Sequence, residues 1–130
     1  MEKIVADTNV LVRILVQDDP VQAKKAERLM ESSEVVILDS VLLEVEWVLR
    51  GVYGQPREEI ARAFWAILKQ RNVSSDRMRM LVEVVRAYED GFDFADALHH
   101  AAAGSLEMKT FDRKFVNRAK KEGWRVSLLK

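Results

Sequence analysis

The chain has 130 residues, 48% of them hydrophobic and 32% charged, which suits one domain over residues 1–130 and excludes intrinsic disorder. It has no cysteine, and its two histidines are the adjacent His99 and His100, which excludes disulfide scaffolds, thiolate metal sites and a Cys nucleophile and argues against a multi-His zinc centre. Lys plus Arg equals Asp plus Glu, 21 against 21, yet Ser105–Lys130 holds eight basic and three acidic residues, so an acidic body precedes a basic C-terminal segment; such a molecule can hold cations in one place and a polyanion beside it.

Lys3-Ile-Val-Ala6 reads as a short buried strand that stops at Asp7-Thr-Asn9, and a helix follows from about Val10. Asp18-Asp19-Pro20 marks a turn with proline near a helix start, and Val21–Glu31 has helical spacing. Val35–Leu38 is a second buried strand, and Asp39-Ser40 caps a helix over Val41–Arg50. Gly51 and Gly54 close that helix, Pro56 opens another running to about Lys69, and Ser74-Ser75-Asp76 caps a helix that reaches Tyr88. Phe94–Ala103 is a helix stopped by Gly104, Glu107–Phe111 a strand, Asp112–Glu122 a helix and Trp124–Leu128 a last strand. Short apolar strands alternating with helices predict an α/β fold with a parallel sheet covered on both faces, whose ligands bind at the carboxyl ends of the strands.

No repeat or linker divides the chain. Val10–Val16, the most apolar early stretch, is interrupted by Arg13 and is far too short for a bilayer. With the missing cysteines, this predicts a cytoplasmic protein without a membrane partner.

The carboxylates are the informative residues. Asp7 directly follows the first strand and Asp112 follows the strand over Glu107–Phe111; taken singly, each is also a natural turn or N-cap residue. Glu44 lies on a helix that is apolar nearly all round, has no basic residue among its helical neighbours, and is therefore read as a buried acid needing a partner from elsewhere. Glu46, about 200° further round and followed at i+4 by Arg50, reads as an ordinary surface pair. Asp93 and Asp96 stand at i and i+3 of a helix start. Capping explains Asp93 well; it explains Asp96, flanked by Phe94, Ala97 and Leu98, less fully. If Asp7, Glu44, Asp96 and Asp112 converge, their repulsion calls for a cation, and an all-oxygen donor set selects Mg²⁺ or Mn²⁺ over zinc. Such an ion suits phosphoryl chemistry and requires no histidine base. His100 lies at i+4 from Asp96, but both histidines are read as structural.

Ile4-Val-Ala-Asp7-Thr-Asn9-Val-Leu, Leu43-Glu44-Val-Glu-Trp-Val-Leu49, Asp93-Phe-Ala-Asp96-Ala-Leu98 and Thr110-Phe-Asp112 together resemble the four acidic motifs of PIN-domain nucleases, most closely the VapC-type toxins of prokaryotic toxin–antitoxin pairs. The resemblance spans essentially the whole chain, in the right order. It implies a PIN-like three-layer α/β/α sandwich with a short parallel sheet and a Mg²⁺- or Mn²⁺-dependent endoribonuclease. Asp7, Glu44 and Asp96 would be its core catalytic and metal-binding acids, and Asp112 the fourth. Thr8, Asn9 and Thr110 would help to orient carboxylates, with Asp93 accessory. It further implies a homodimer and a VapB-like antitoxin whose C-terminal tail enters the shared groove. Trp47, Trp65, Val52 and Tyr53 could supply apolar surface there, although the tryptophans are read mainly as core.

The expected reaction is in-line attack of activated water on an RNA phosphodiester, with Arg113, Lys114, Arg118, Lys120 and Lys121 contacting the backbone. Two alternatives keep the fold: a non-catalytic PIN-fold binding module, against which the intact acids argue, and a PIN nuclease of RNA processing outside any toxin–antitoxin pair. An Asp-nucleophile phosphatase would need a second Asp two residues after Asp7, where Asn9 stands.

Overall fold

Thr8 to Val16 buries Leu11 and Val12 on one face, and helical spacing of this kind recurs down the chain between short β-branched runs. In the computed structural model, which describes all 130 residues, the order is β1 (Glu2–Val5), α1 (Thr8–Val16), α2 (Pro20–Ser32), β2 (Ser33–Val36), α3 (Asp39–Gly51), α4 (Arg57–Leu68), β3 (Val73–Ser74), α5 (Met78–Glu89), α6 (Phe94–Ala103), β4 (Met108–Thr110), α7 (Arg113–Lys121) and β5 (Val126–Leu128). Every strand pairing is parallel, as the helix-connected order requires. The result is the α/β fold with short parallel strands that was expected.

The strands form two ladders, one of three strands in the order β1-β2-β3 and one of two, β4-β5. Ile4 stands opposite Val35 and Val35 opposite Val73, while Thr110 pairs with Leu128. A single hydrophobic core of 28 buried residues runs from Ala6 to Val126, so both ladders share it. Its aromatic centre is a set of edge-on contacts in which Phe94 meets Phe64 and Tyr88, each at 5.5 Å between centroids. No helix is long and apolar enough to cross a membrane.

Several local readings are corrected. β3 was not expected, because a two-residue strand leaves no period to detect; Val73 joins the ladder by burial against β2 and α4. The helix predicted from Val10 starts at Thr8. α3 begins at Asp39 after an N-cap at Leu38, and the Asp39 carboxylate accepts from the amide of Ser40 rather than capping the next turn. Ser74 belongs to β3, so the N-cap of α5 is Arg77, with Ser75 accepting its amide. Asp19 caps α2 ahead of Pro20 by accepting from the amide of Gln22. The tryptophans are not mainly core: Trp47 is 59% exposed, and Trp65 and Trp124 are half-buried.

The largest correction concerns α3. Glu44, expected to be buried, is exposed, and Glu46, expected on the surface, is 3% exposed. Leu42, Val45, Glu46 and Leu49 occupy i, i+3, i+4 and i+7, which is one inward stripe of a helix. Glu46 therefore enters the core with the aliphatic residues and must be satisfied there. The Tyr88 hydroxyl donates to it at 3.0 Å and Arg50 Nε at 2.8 Å. The Glu46–Arg50 pair foreseen from the spacing exists, but it is seated on a buried carboxylate.

Candidate active site

Parallel strands deliver the residues that follow them to their carboxyl ends, as with Asp7 after β1 and Asp112 after β4, whereas Glu44, Asp93 and Asp96 lie on or at the starts of helices. Asp7 follows β1 at the N-cap position of α1, where its carbonyl accepts from Val10 and Leu11. Its carboxylate makes no capping bond and is exposed, so the charge remains free for another ligand. Thr8 beside it is buried. Asn9 is exposed and faces a shallow depression against α2, near Arg13 and Gln22.

Asp93 and Asp112 are N-caps, as their positions suggested. Asp93 Oδ1 accepts from the amide of Asp96 at 3.0 Å and Asp112 Oδ1 from that of Phe115 at 3.1 Å. Thr110 Oγ1 accepts from the Asp112 amide at 3.1 Å, which fixes the turn from β4 into α7. Capping uses one lobe of each carboxylate and leaves further acceptor capacity on both. Asp96, on the first turn of α6, caps nothing and is half-buried. Burial pushes its carboxyl above the ordinary range, the charges of Asp93 and then Asp112 push it the same way, and His99 works against them.

The charges of Asp93, at the start of α6, and of Asp112, in the β4–α7 turn, thus both reach Asp96. Glu44 joins them through Asp93, since both line a cleft of about 380 Å³ between α3 and α6, beside Ser40 and Trp47. Asp7 neither lines that cleft nor acts on Asp96. The donor set is all oxygen, the chemistry of a hard-cation site, and burial with like charge works against ionisation of Asp96. As placed, however, no three His, Asp or Glu side chains close into a group able to hold a metal ion.

The basic residues Arg113, Lys114, Arg118, Lys120 and Lys121 are all exposed on α7. Arg118 is also engaged locally: its guanidinium lies 5.9 Å from the centre of the Phe92 ring and donates to the Asp90 carbonyl at 3.5 Å. Gly91 makes room for it, with a φ of +113° that a side chain would not accept. His100 stacks on Trp124 at 3.9 Å, and burial lowers its pKa, which agrees with a packing role.

Sequence reasoning missed the support behind α6. Arg57 donates at 2.6 Å to the carbonyls of both Tyr88 and Phe92 and lies 4.5 Å from the centre of the Tyr88 ring. It therefore ties the end of α5 to the residue just before Asp93. Nothing in the local spacing signals this, because its partners lie more than thirty residues away.

A parallel α/β fold in which the charges of two acids bear on a third, Asp96, defines the class: an α/β domain with carboxylates of the kind that take a hard cation. Within that class, the PIN domain family matches residues 4–121, and the chain belongs to it. No curated protein and no solved structure matches the chain. PIN domains are in general nucleases, hence hydrolases, and PIN nucleases generally use divalent metals.

Proposed function

We propose that the protein is a Mg²⁺- or Mn²⁺-dependent endoribonuclease that hydrolyses RNA phosphodiester bonds, acting as the toxin of a VapBC-type toxin–antitoxin pair. What supports this reading is the PIN family match over residues 4–121, together with the charges of Asp93 and Asp112 bearing on Asp96 and Glu44 lining the same cleft as Asp93. The proposed cation ligands are Asp7, Glu44, Asp96 and Asp112, of which Asp112 acts on Asp96 through its charge while Asp7 stands apart from the cleft. When bound, the ion lowers the pKa of a water and neutralises charge on the phosphate. Asp93 and Thr110 hold the backbone that carries these acids.

Purified protein incubated with a mixed small-RNA pool should cut it with Mn²⁺ or Mg²⁺ and not with EDTA, and Asp7→Asn and Asp96→Asn should each abolish the cutting. Cleavage that survives both substitutions would sink the assignment. Exposed cations on α7 fit a role in binding the RNA backbone. Replacing Lys120 and Lys121 together by Ala should lower the slope of log affinity against log salt by about 1.4 for a single strand. An unchanged slope would remove α7 from the substrate path.

The same proposal includes a homodimer and a VapB-like antitoxin. Trp47, 59% exposed on the cleft wall, and Val52, 65% exposed just after α3, give apolar surface that suits either contact. Tyr53 is less available, since its hydroxyl donates to Asp18 at 2.9 Å.

A further inference from the structure

Phe111 has no structural work in this fold. It is 78% exposed, the most exposed aromatic side chain in the molecule, in a region whose core is complete without it. Phe115 and Val116 fill the inward face of α7, and Phe92 is already stacked on Trp124 at 4.2 Å. Its backbone, in contrast, is held on both sides. The Thr110 carbonyl accepts from Leu129 at 2.8 Å, and the Asp112 amide donates back to Thr110 Oγ1. An apolar ring is thus held out into water on a pinned turn, which costs solvation and is not repaid by packing.

Its position gives the ring a use. Asp112 follows it directly, and the charge of Asp112 reaches Asp96. Lys109, Arg113 and Lys114 flank it and are exposed. Protein interfaces deplete Lys and Asp around their apolar anchors, whereas a π-face set among cations is the usual arrangement for single-stranded nucleic acid.

We propose that Phe111 stacks on an unpaired base of the RNA next to the bond to be cut, so that the substrate presents a single-stranded segment at the acid site. This rests on the nuclease reading above and adds a determinant of substrate class to it. Phe111 binds substrate in this scheme. It takes no part in the bond-making step, and a rigid ring with few rotors loses little entropy on docking.

The test uses the full chain carrying Asp96→Asn to prevent cutting, with 2-aminopurine-labelled single-stranded oligoribonucleotides and their fully paired duplexes as probes. Phe111→Ala and Phe111→Leu should each weaken single-strand binding by about 10-fold or more, while Phe111→Trp retains it. The quenching of 2-aminopurine seen with Phe111 should disappear with Leu. Since stacking releases no counterions, the salt slope should stay as it was, in contrast to the Lys120/Lys121 variant. If Leu binds as tightly as Phe, the contact is merely apolar and the proposal fails. If single strand and duplex lose affinity equally, no unpaired base is being read, and it fails as well. Failure of the parent protein to bind any probe would instead bring down the nuclease reading itself, and this proposal with it.

Discussion

Glu46→Ala is expected to destabilise the fold by about 2–4 kcal/mol and to lower the midpoint of thermal unfolding by about 10 °C. The carboxylate is 3% exposed and is the acceptor for Tyr88 and Arg50. Removing it leaves the Tyr88 hydroxyl buried without a partner and opens space between α3 and α5. Arg50 suffers little, because its guanidinium is largely in water and can rehydrate. Burial, followed by the charge and hydrogen bond of Glu46, drives the Tyr88 phenol pKa upward, so the hydroxyl keeps its proton and remains the donor at any ordinary pH.

Glu46→Gln should cost only about 1 kcal/mol, since an amide oxygen still accepts from Tyr88. Combining Glu46→Met with Tyr88→Phe should recover most of the loss, because two apolar groups of matching size leave nothing unsatisfied. Denaturant unfolding of the set measures each step. A loss below about 0.5 kcal/mol for Glu46→Ala would mean that water already reaches the carboxylate.

That carboxylate marks the place where reading α3 from its sequence went astray. Two cues competed: the absence of a nearby cation pointed to Glu44 as the buried acid, and the i+4 Arg50 pointed to Glu46 as the surface one. The inward stripe of Leu42, Val45 and Leu49 was the stronger signal, since it sets the angle at which every other side chain leaves the helix. It places Glu46, 3% exposed, at the inner wall of the cleft and Glu44 on its exposed side with Trp47. An acid need not be buried within its own helix to line a cleft.

Where a feature depends on a few adjacent residues, the sequence was a good guide. The caps at Asp93 and Asp112 formed, though those read at Asp39-Ser40 and Ser74-Ser75-Asp76 did not, and β1, β2, β4 and β5 fall within a residue or two of their expected spans. What was not legible depends on distant partners. β3 exists because β2 is beside it, and Arg57 finds its two carbonyls only after α4 and α5 have packed. Four acids could be singled out from the sequence; of these, Asp112 is an N-cap whose charge also acts on Asp96. Asp7 went the other way, standing where a cap would and capping nothing.

Asp96→Asn should make the metal-free protein more stable at neutral pH while lowering RNA cleavage by about 100-fold or more. Burial and the charges of Asp93 and Asp112 raise the Asp96 pKa in the folded state. Between the ordinary carboxyl pKa and the raised one, the folded chain therefore binds more protons than the unfolded chain, and stability falls as pH rises through that window. Above it, the ionised carboxylate weighs against folding by an amount that no longer changes. Asn keeps the shape and loses the charge, so in EDTA the variant should melt above the parent at pH 7. The advantage should vanish below about pH 3.9, where the parent's carboxyl is protonated in both states. Added Mn²⁺ should reverse the order, raising the melting temperature of the parent more than that of the variant, since a ligand that binds only the folded state stabilises it in proportion to its affinity. The two arms fail separately. If Asp96→Asn melts no higher than the parent in EDTA at pH 7, the acids around Asp96 do not repel in the way their placement implies. If it does melt higher and Mn²⁺ moves both proteins alike, the repulsion is real but Asp96 is not where the cation binds.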